Sequence, residues 1–266
     1  MQLTAIETDA IERFALSVTV PIFLEVGDSS GLLATGTLFK VDGRSFLITA
    51  RHVFDNLPDL TRLAYPENPI RGGLFTFGSF TVLKPIEEHI DVAAVELKNA
   101  EMIAKLEANW QFLSLDNVAA PTMVTGDGAF FVSGYPASLT KTEAGWTRGK
   151  LATAYTQRLP TPPANAEPPV IAELDLFFDY GHDATSVTGQ PVKTPELPGV
   201  SGASVWELRS APGVWTPETA TRVIGIQTAY VHSKYFRAKN WWAVAKVLEQ
   251  ADPALAAAVR AKLVEI

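Results

Sequence analysis

The chain opens on apolar stretches of strand length separated by short turns. Residues 17–26 are rich in Val, Ile and Phe and predict a strand, Gly27-Asp28-Ser29-Ser30-Gly31 predicts a turn, and residues 32–41 predict a second strand. Asp42-Gly43 is the two-residue hairpin signal, so residues 44–49 return as a third strand in an antiparallel meander. Residues 74–83 alternate again, and residues 90–97 form an apolar run that carries Asp91 near its start. Helical spacing appears at residues 5–14 and 100–110, where Met102, Ile103, Leu106 and Trp110 share a face.

The second half repeats this style after a passage over residues 119–125. Strands are predicted at 129–133, 149–158, 170–180, 203–208 and 222–229, interrupted by a five-proline loop at 159–169 and a long polar loop at 181–198. The pattern then changes period. Trp241, Val244 and Leu248 space one helical face, Asp252-Pro253 caps and starts another helix, and Leu255, Val259 and Leu263 give it an apolar stripe. Two groups of short strands followed by terminal helices predict an all-β protein of two barrels.

Composition narrows the function. The chain has 266 residues, 47% of them hydrophobic and 19% charged, enough to bury a real core. A net charge of -7 and the lack of any basic run argue against nucleic acid as a partner, because polyphosphate affinity comes largely from Lys and Arg. With no cysteine there is no disulfide, thiolate metal site or cysteine nucleophile. The acidic start (Glu7, Asp9, Glu12) and the short, Pro21-broken apolar run 14–24 predict neither a signal peptide nor a membrane segment, which fits a cytoplasmic protein.

The candidate chemistry centres on Leu197-Pro198-Gly199-Val200-Ser201-Gly202-Ala203. A serine between glycines, after a proline-broken loop and before an alternating strand, is placed so that backbone amides can crowd its substrate. A serine hydroxyl is a weak nucleophile and needs a base and a group that orients the base. His52, where the third strand turns into a short helical segment, and Asp91 supply the two residue types, in the order His, Asp, Ser.

Gly36-Thr37-Leu38-Phe39 leading to Leu47-Ile48-Thr49-Ala50-Arg51-His52-Val53, then Asp91-Val92-Ala93-Ala94-Val95, then Gly199-Val200-Ser201-Gly202-Ala203, and finally Val223-Ile224-Gly225-Ile226 resemble the trypsin/chymotrypsin-like serine proteases in their bacterial, cysteine-free form. The resemblance covers roughly residues 17–235. It implies two antiparallel six-stranded β-barrels with the site between them: residues 1–118 with His52 and Asp91, residues 119–236 with Ser201, and residues 237–266 as helices packed on the barrels. It implies His52 as general base and then acid, Asp91 as the carboxylate orienting it, and Ser201 as nucleophile, with the amides of Gly199 and Ser201 as oxyanion hole. Gln227-Thr228-Ala229-Tyr230 would pair with a peptide or protein substrate as an added strand. No metal or other cofactor is expected.

Three positions depart from the family pattern. Val200 stands where the animal enzymes carry the aspartate that receives a newly cut N-terminus, so activation by such a cut is not expected. Ala203 replaces a usual glycine. Glu196 is the one pre-serine loop residue that would favour a basic side chain, but a solvated loop glutamate is the better reading, and no specificity is assigned. A protease without that activation needs another restraint, and the loops 159–169 and 181–198 are places for a regulatory protein partner.

The competing readings are weaker. A protease-like domain that is inactive and binds a peptide or protein partner in the cleft shares the same fold, and the direction of the Pro198-Gly199 peptide separates the two. Ser201, Glu218 and His232 follow the order of α/β-hydrolases, but that fold needs a strand before the serine and a helix after it. His89 beside Glu87 and Glu88, and His182 beside Asp183, lack metal-ligand spacing. Trp241-Trp242 is read as one ring packing the terminal helix onto a barrel.

Overall fold

The computed structural model describes residues 3–27, 29–55, 57, 59–121, 130–143, 146–186, 189–210 and 213–264. Asp28 and Asn56, and residues 122–125 of the expected passage between halves, lie outside the described residues. Two curled antiparallel half-barrel sheets dominate. The first has seven strands in the spatial order Leu74–Thr76, Leu63–Pro66, Thr19–Val26, Ser29–Val41, Arg44–Thr49, Ala93–Leu97 and Phe80–Leu83. The second has six, in the order Ala152–Thr156, Phe130–Gly134, Ser204–Leu208, Thr221–Val231, Tyr235–Asn240 and Asp175–Asp179.

Local chemistry sets most of these boundaries. Thr4 and Glu7 form a reciprocal capping box that starts the helix Ala5–Val18. Asp42 and Gly43, with φ of 49° and 73°, make the tight turn that joins the second and third strands. Asp252 accepts from Ala254 N–H at 2.8 Å ahead of the helix Pro253–Val264, as its position before a proline predicts.

Several expectations change. The run 74–83 is two strands, Leu74–Thr76 and Phe80–Leu83, on opposite edges of the first sheet, and together with Leu63–Pro66, read from the sequence as loop, this gives that sheet seven strands where six were expected. The break is at Gly78, whose φ of 64° turns the chain. Another change is at the C-terminal end. Residues 237–240, assigned to the helical segment, belong to the strand Tyr235–Asn240, and the helix Trp241–Leu248 begins after it with Asn240 as its cap. The polar loop 181–198 also contains a small hairpin, Asp183–Thr185 with Pro191–Lys193.

Each sheet has its own apolar interior, and a third cluster joins them. Leu38, Leu47, Phe77, Val95 and Trp110 fill the first, and Phe130, Leu176, Phe178, Ile224 and Phe236 the second. The joining cluster takes the helices: Phe39 meets Trp241 edge-on at 4.8 Å, and Phe14 and Phe131 flank Trp206. Trp241 is therefore the ring that docks the terminal helix, at 1% exposure. Burying rings of this size contributes roughly 2–3 kcal/mol each. Among the described residues no helix is long and apolar enough to cross a membrane.

Between the two interiors runs a seam of buried hydroxyls. Thr49 Oγ1 donates to Thr35 C=O at 2.7 Å, and Ser204 Oγ lies 2.8 Å from Thr37 Oγ1. The first bond ties two strands of the first sheet, and the second, with Thr35 N–H on Ser201 C=O, holds that sheet against the segment 197–204.

Candidate active site

Sheet register brings the first pair of candidates together. In the antiparallel pair Arg44–Thr49 with Ala93–Leu97, Thr49 faces Ala93, so the residues just beyond the strand ends, 51–52 and 91, must meet. They do. His52 Nδ1 lies 2.8 Å from Asp91 Oδ2, and His52 backbone N–H donates to Asp91 Oδ1 at 2.9 Å. The short 3₁₀ turn Arg51–Phe54 presents the ring, and its side chain stays 43% exposed at the cleft.

The hydrogen bond that its ring N–H donates to Asp91 raises the His52 pKa above the ordinary imidazole range. Burial pulls it the other way, while the charges of Asp91 and Asp55 add to the rise.

The serine turn is held by its carbonyls. Pro198 C=O accepts from Ala137 N–H at 2.8 Å, Gly199 C=O from Thr35 Oγ1 at 2.7 Å, and Ser201 C=O from Thr35 N–H at 2.9 Å. Thr35 Oγ1 accepts in turn from Tyr135 N–H at 3.0 Å. The Pro198-Gly199 peptide is trans, so anchoring its carbonyl on Ala137 sends the Gly199 N–H the opposite way. Among the described residues neither the Gly199 nor the Ser201 N–H has an acceptor, and Ser201 Oγ has no hydrogen-bond partner.

Gly202 explains why the turn needs its second glycine. Its φ is 91°, and a Cβ there would sit 2.0 Å from Thr49 Oγ1 and 2.8 Å from Ala50 N. The serine turn thus rests directly on the residues that lead into His52. The structure brings His52 to Asp91, and it brings the Ser201 turn against Thr49-Ala50 without a His52–Ser201 hydrogen bond.

A cleft of about 240 Å³ opens beside this pair, lined among others by His52, Asp91, Thr228, Ala229, Arg237 and Lys239. Of the four residues expected to pair with substrate, Thr228 and Ala229 therefore border the cleft. Ser204–Leu208 pairs with Thr221–Val231 only as far as Gly202 N–H on Gln227 C=O, leaving the same edge of residues 228–230 without a strand partner. Gln227 is 1% exposed and presents its side chain to the interior, and Tyr230 is half-buried. A larger hollow of about 320 Å³, with Glu12, Arg13 and Arg148 among its lining, lies away from these residues.

Beneath the cleft stands a group that the sequence reading did not single out. Asp175, fully buried, meets Arg237 at 2.6 Å and Lys239 at 2.5 Å, and accepts from Ile171 N–H at 2.7 Å. Burial acts against the Asp175 charge, yet these partners together hold its carboxyl below the ordinary aspartate range. Burial likewise pulls Lys239 below the ordinary lysine range. Thr35 was also missed. Its only sequence signal is a hydroxyl within an apolar strand, and its partners lie 100 and 164 residues away.

The other candidates do not assemble. No group of three or more metal-ligating side chains occurs among the described residues. His182 stacks edge-on with His232 at 5.5 Å, while His89 borders the cleft. The strand Ser204–Leu208 follows Ser201 where an α/β-hydrolase needs a helix.

Comparison with solved structures finds the thermostable serine protease AL20 from an extremophilic microorganism, at TM-score 0.52 and 11% identity, covering 89% of this chain and 97% of that one. The serine protease domain of the Sesbania mosaic virus polyprotein is found at TM-score 0.47 and 11% identity, covering 86% and 91%. No family model and no curated protein matches the sequence. The likeness to AL20 is one of fold: a chymotrypsin-like double half-barrel.

Proposed function

We propose that the protein is a serine endopeptidase that hydrolyses peptide bonds through an acyl-enzyme. The observation that carries this reading is the Pro198-Gly199 peptide. Its carbonyl is tied back to Ala137, which leaves the Gly199 N–H, like that of Ser201, without an acceptor and free to serve a developing oxyanion.

In this mechanism a peptide pairs with the free edge at residues 228–230, and its carbonyl carbon meets Ser201 Oγ. His52, with Nδ1–H held by Asp91, takes the serine proton on Nε2 as the C–O bond forms. Gly199 and Ser201 N–H bind the oxyanion. The protonated imidazole then gives its proton to the leaving amine as the C–N bond breaks, and water repeats the sequence to release the acid. An apo site often holds its catalytic hydrogen bonds long, so the missing His52–Ser201 bond is compatible with this role.

The inactive, peptide-binding reading is less well supported, because a turn built only to bind has no need of two N–H groups left open beside a serine. A small fluorophosphonate should add one adduct mass to the wild-type chain, and peptide mapping should locate it on Ser201. An adduct elsewhere, or none, overturns the proposal.

The pH dependence follows from His52. The base must be neutral, and its pKa is raised, so labelling should speed up as pH rises through a midpoint above about 6.5, the ordinary imidazole value. A stopped-time mass measurement across pH 5 to 9 checks this; a midpoint below about 6 counts against the Asp91-supported base.

A further inference from the structure

We infer that Gln227 is a specificity-determining residue: its buried side-chain oxygen receives a hydrogen bond from an uncharged donor, of the carboxamide class, on the substrate residue that acylates Ser201. This rests on the protease reading above.

The register places Gln227 beside the nucleophile. Its C=O accepts from Gly202 N–H and its N–H donates to Ala203 C=O, both at 2.8 Å. Cross-strand partners then identify its face. Gln227 pairs with Ala238 and Tyr230 with Phe236, and both partners belong to the interior of the second sheet together with Leu197, Ala203 and Tyr180. Ala229 pairs with Arg237 and borders the His52 cleft, on the other side. A bulge between Gln227 and Ala229 absorbs Thr228 and makes this division possible.

The Gln227 side chain is 1% exposed, and its two ends differ. Nε2 donates to Ala229 C=O at 3.1 Å, while Oε1 is buried with no partner. Only the NH2 end can satisfy the Ala229 carbonyl, so the orphan is an acceptor. Buried acceptors are normally satisfied, and one without a partner on the strand that holds the serine turn is a place for a donor that arrives with the substrate.

Substrate geometry points the same way. A peptide lying along residues 228–230 has the His52 cleft on one side, so the side chain of its acylated residue turns toward Leu197, Gln227 and Tyr230. A carboxylate there would set oxygen against Oε1. An ammonium or guanidinium would find no buried counter-charge against Oε1, because Asp175 lies under the opposite face with Arg237 and Lys239. Glu196 stands at the exposed rim. A neutral carboxamide fits.

A structural role, in which Gln227 merely pins the bulge through Ala229, predicts equal losses for all substrates. The test is the rate of covalent labelling by three matched peptidyl phosphonates whose reacting residue is the analogue of Gln, Met or Lys. Wild type should react with the Gln analogue about tenfold or more faster than with the other two. Gln227→Met should bring the Gln-to-Met ratio to about one.

Equal wild-type rates, a preference for Lys, or an unchanged ratio in Gln227→Met overturns the inference and leaves the protease reading standing. Failure of all three and of a small fluorophosphonate to label wild type overturns both. If Gln227→Met does not fold, the wild-type preference alone decides.

Discussion

Asp91→Asn should lower kcat/KM for peptide hydrolysis by about four orders of magnitude, on the scale set by serine-protease triads, with little change in thermal stability. The reason is the second bond that Asp91 makes. Its Oδ1 takes the His52 backbone N–H and its Oδ2 faces Nδ1. In the variant, the backbone N–H demands the carboxamide oxygen, which leaves the NH2 facing Nδ1. Nδ1 must then be the unprotonated nitrogen, so the imidazole proton sits on Nε2, where it cannot accept the serine proton. The wrong tautomer is thus enforced by a backbone hydrogen bond and not merely allowed. Steady-state kinetics on any cleaved peptide measures the effect, and a loss of under tenfold would show that Asp91 does not orient the base.

The His52–Asp91 pair was legible because both residues sit at strand ends, where an antiparallel meander leaves few placements for them. The hairpin at Asp42-Gly43 fixes the second and third strands, and pairing of the third with Ala93–Leu97 does the rest. What stayed hidden involved contacts between distant segments. Residues 237–240 belong to a buried strand although it carries Arg237 and Lys239, because Asp175 on the neighbouring strand pairs with both charges. The split of residues 74–83 turned on Gly78 adopting a positive φ, which the alternating apolar pattern masks. The direction of the Pro198-Gly199 peptide depends on Ala137 and Thr35, neither of which carries a local sequence signal for that role. Gln227 was read as a strand residue beside the substrate. Its main chain adjoins the serine turn, while the bulge at Thr228 and the interior face of its side chain are properties of the register with Tyr235–Asn240.

Asp175→Ala should be the most destabilising single change in the second sheet, costing about 3–5 kcal/mol. Its carboxylate is fully buried and answers two cations, and Lys239 is itself 2% exposed. Removing the acid leaves that ammonium buried without a counter-charge, and frees Ile171 N–H and the Arg237 fork as well. For a chain of this size the expected fall in Tm is roughly 10 °C. The pH dependence distinguishes this from simple loss of packing. The Asp175 pKa is depressed in the fold, so its contribution is present above the ordinary aspartate value of about 3.9 and is lost as pH falls through the depressed pKa. The wild-type and variant denaturation midpoints should therefore differ at pH 7 and converge toward the acid limb. A constant difference from pH 7 down to pH 2 would mean that the carboxyl titrates alike in the folded and unfolded chains, so that its partners do not depress its pKa. Because Arg237 and Lys239 also border the His52 cleft, a variant that retains its fold at low temperature should lose substrate affinity more than chemical rate, through the displaced strand edge at residues 228–230.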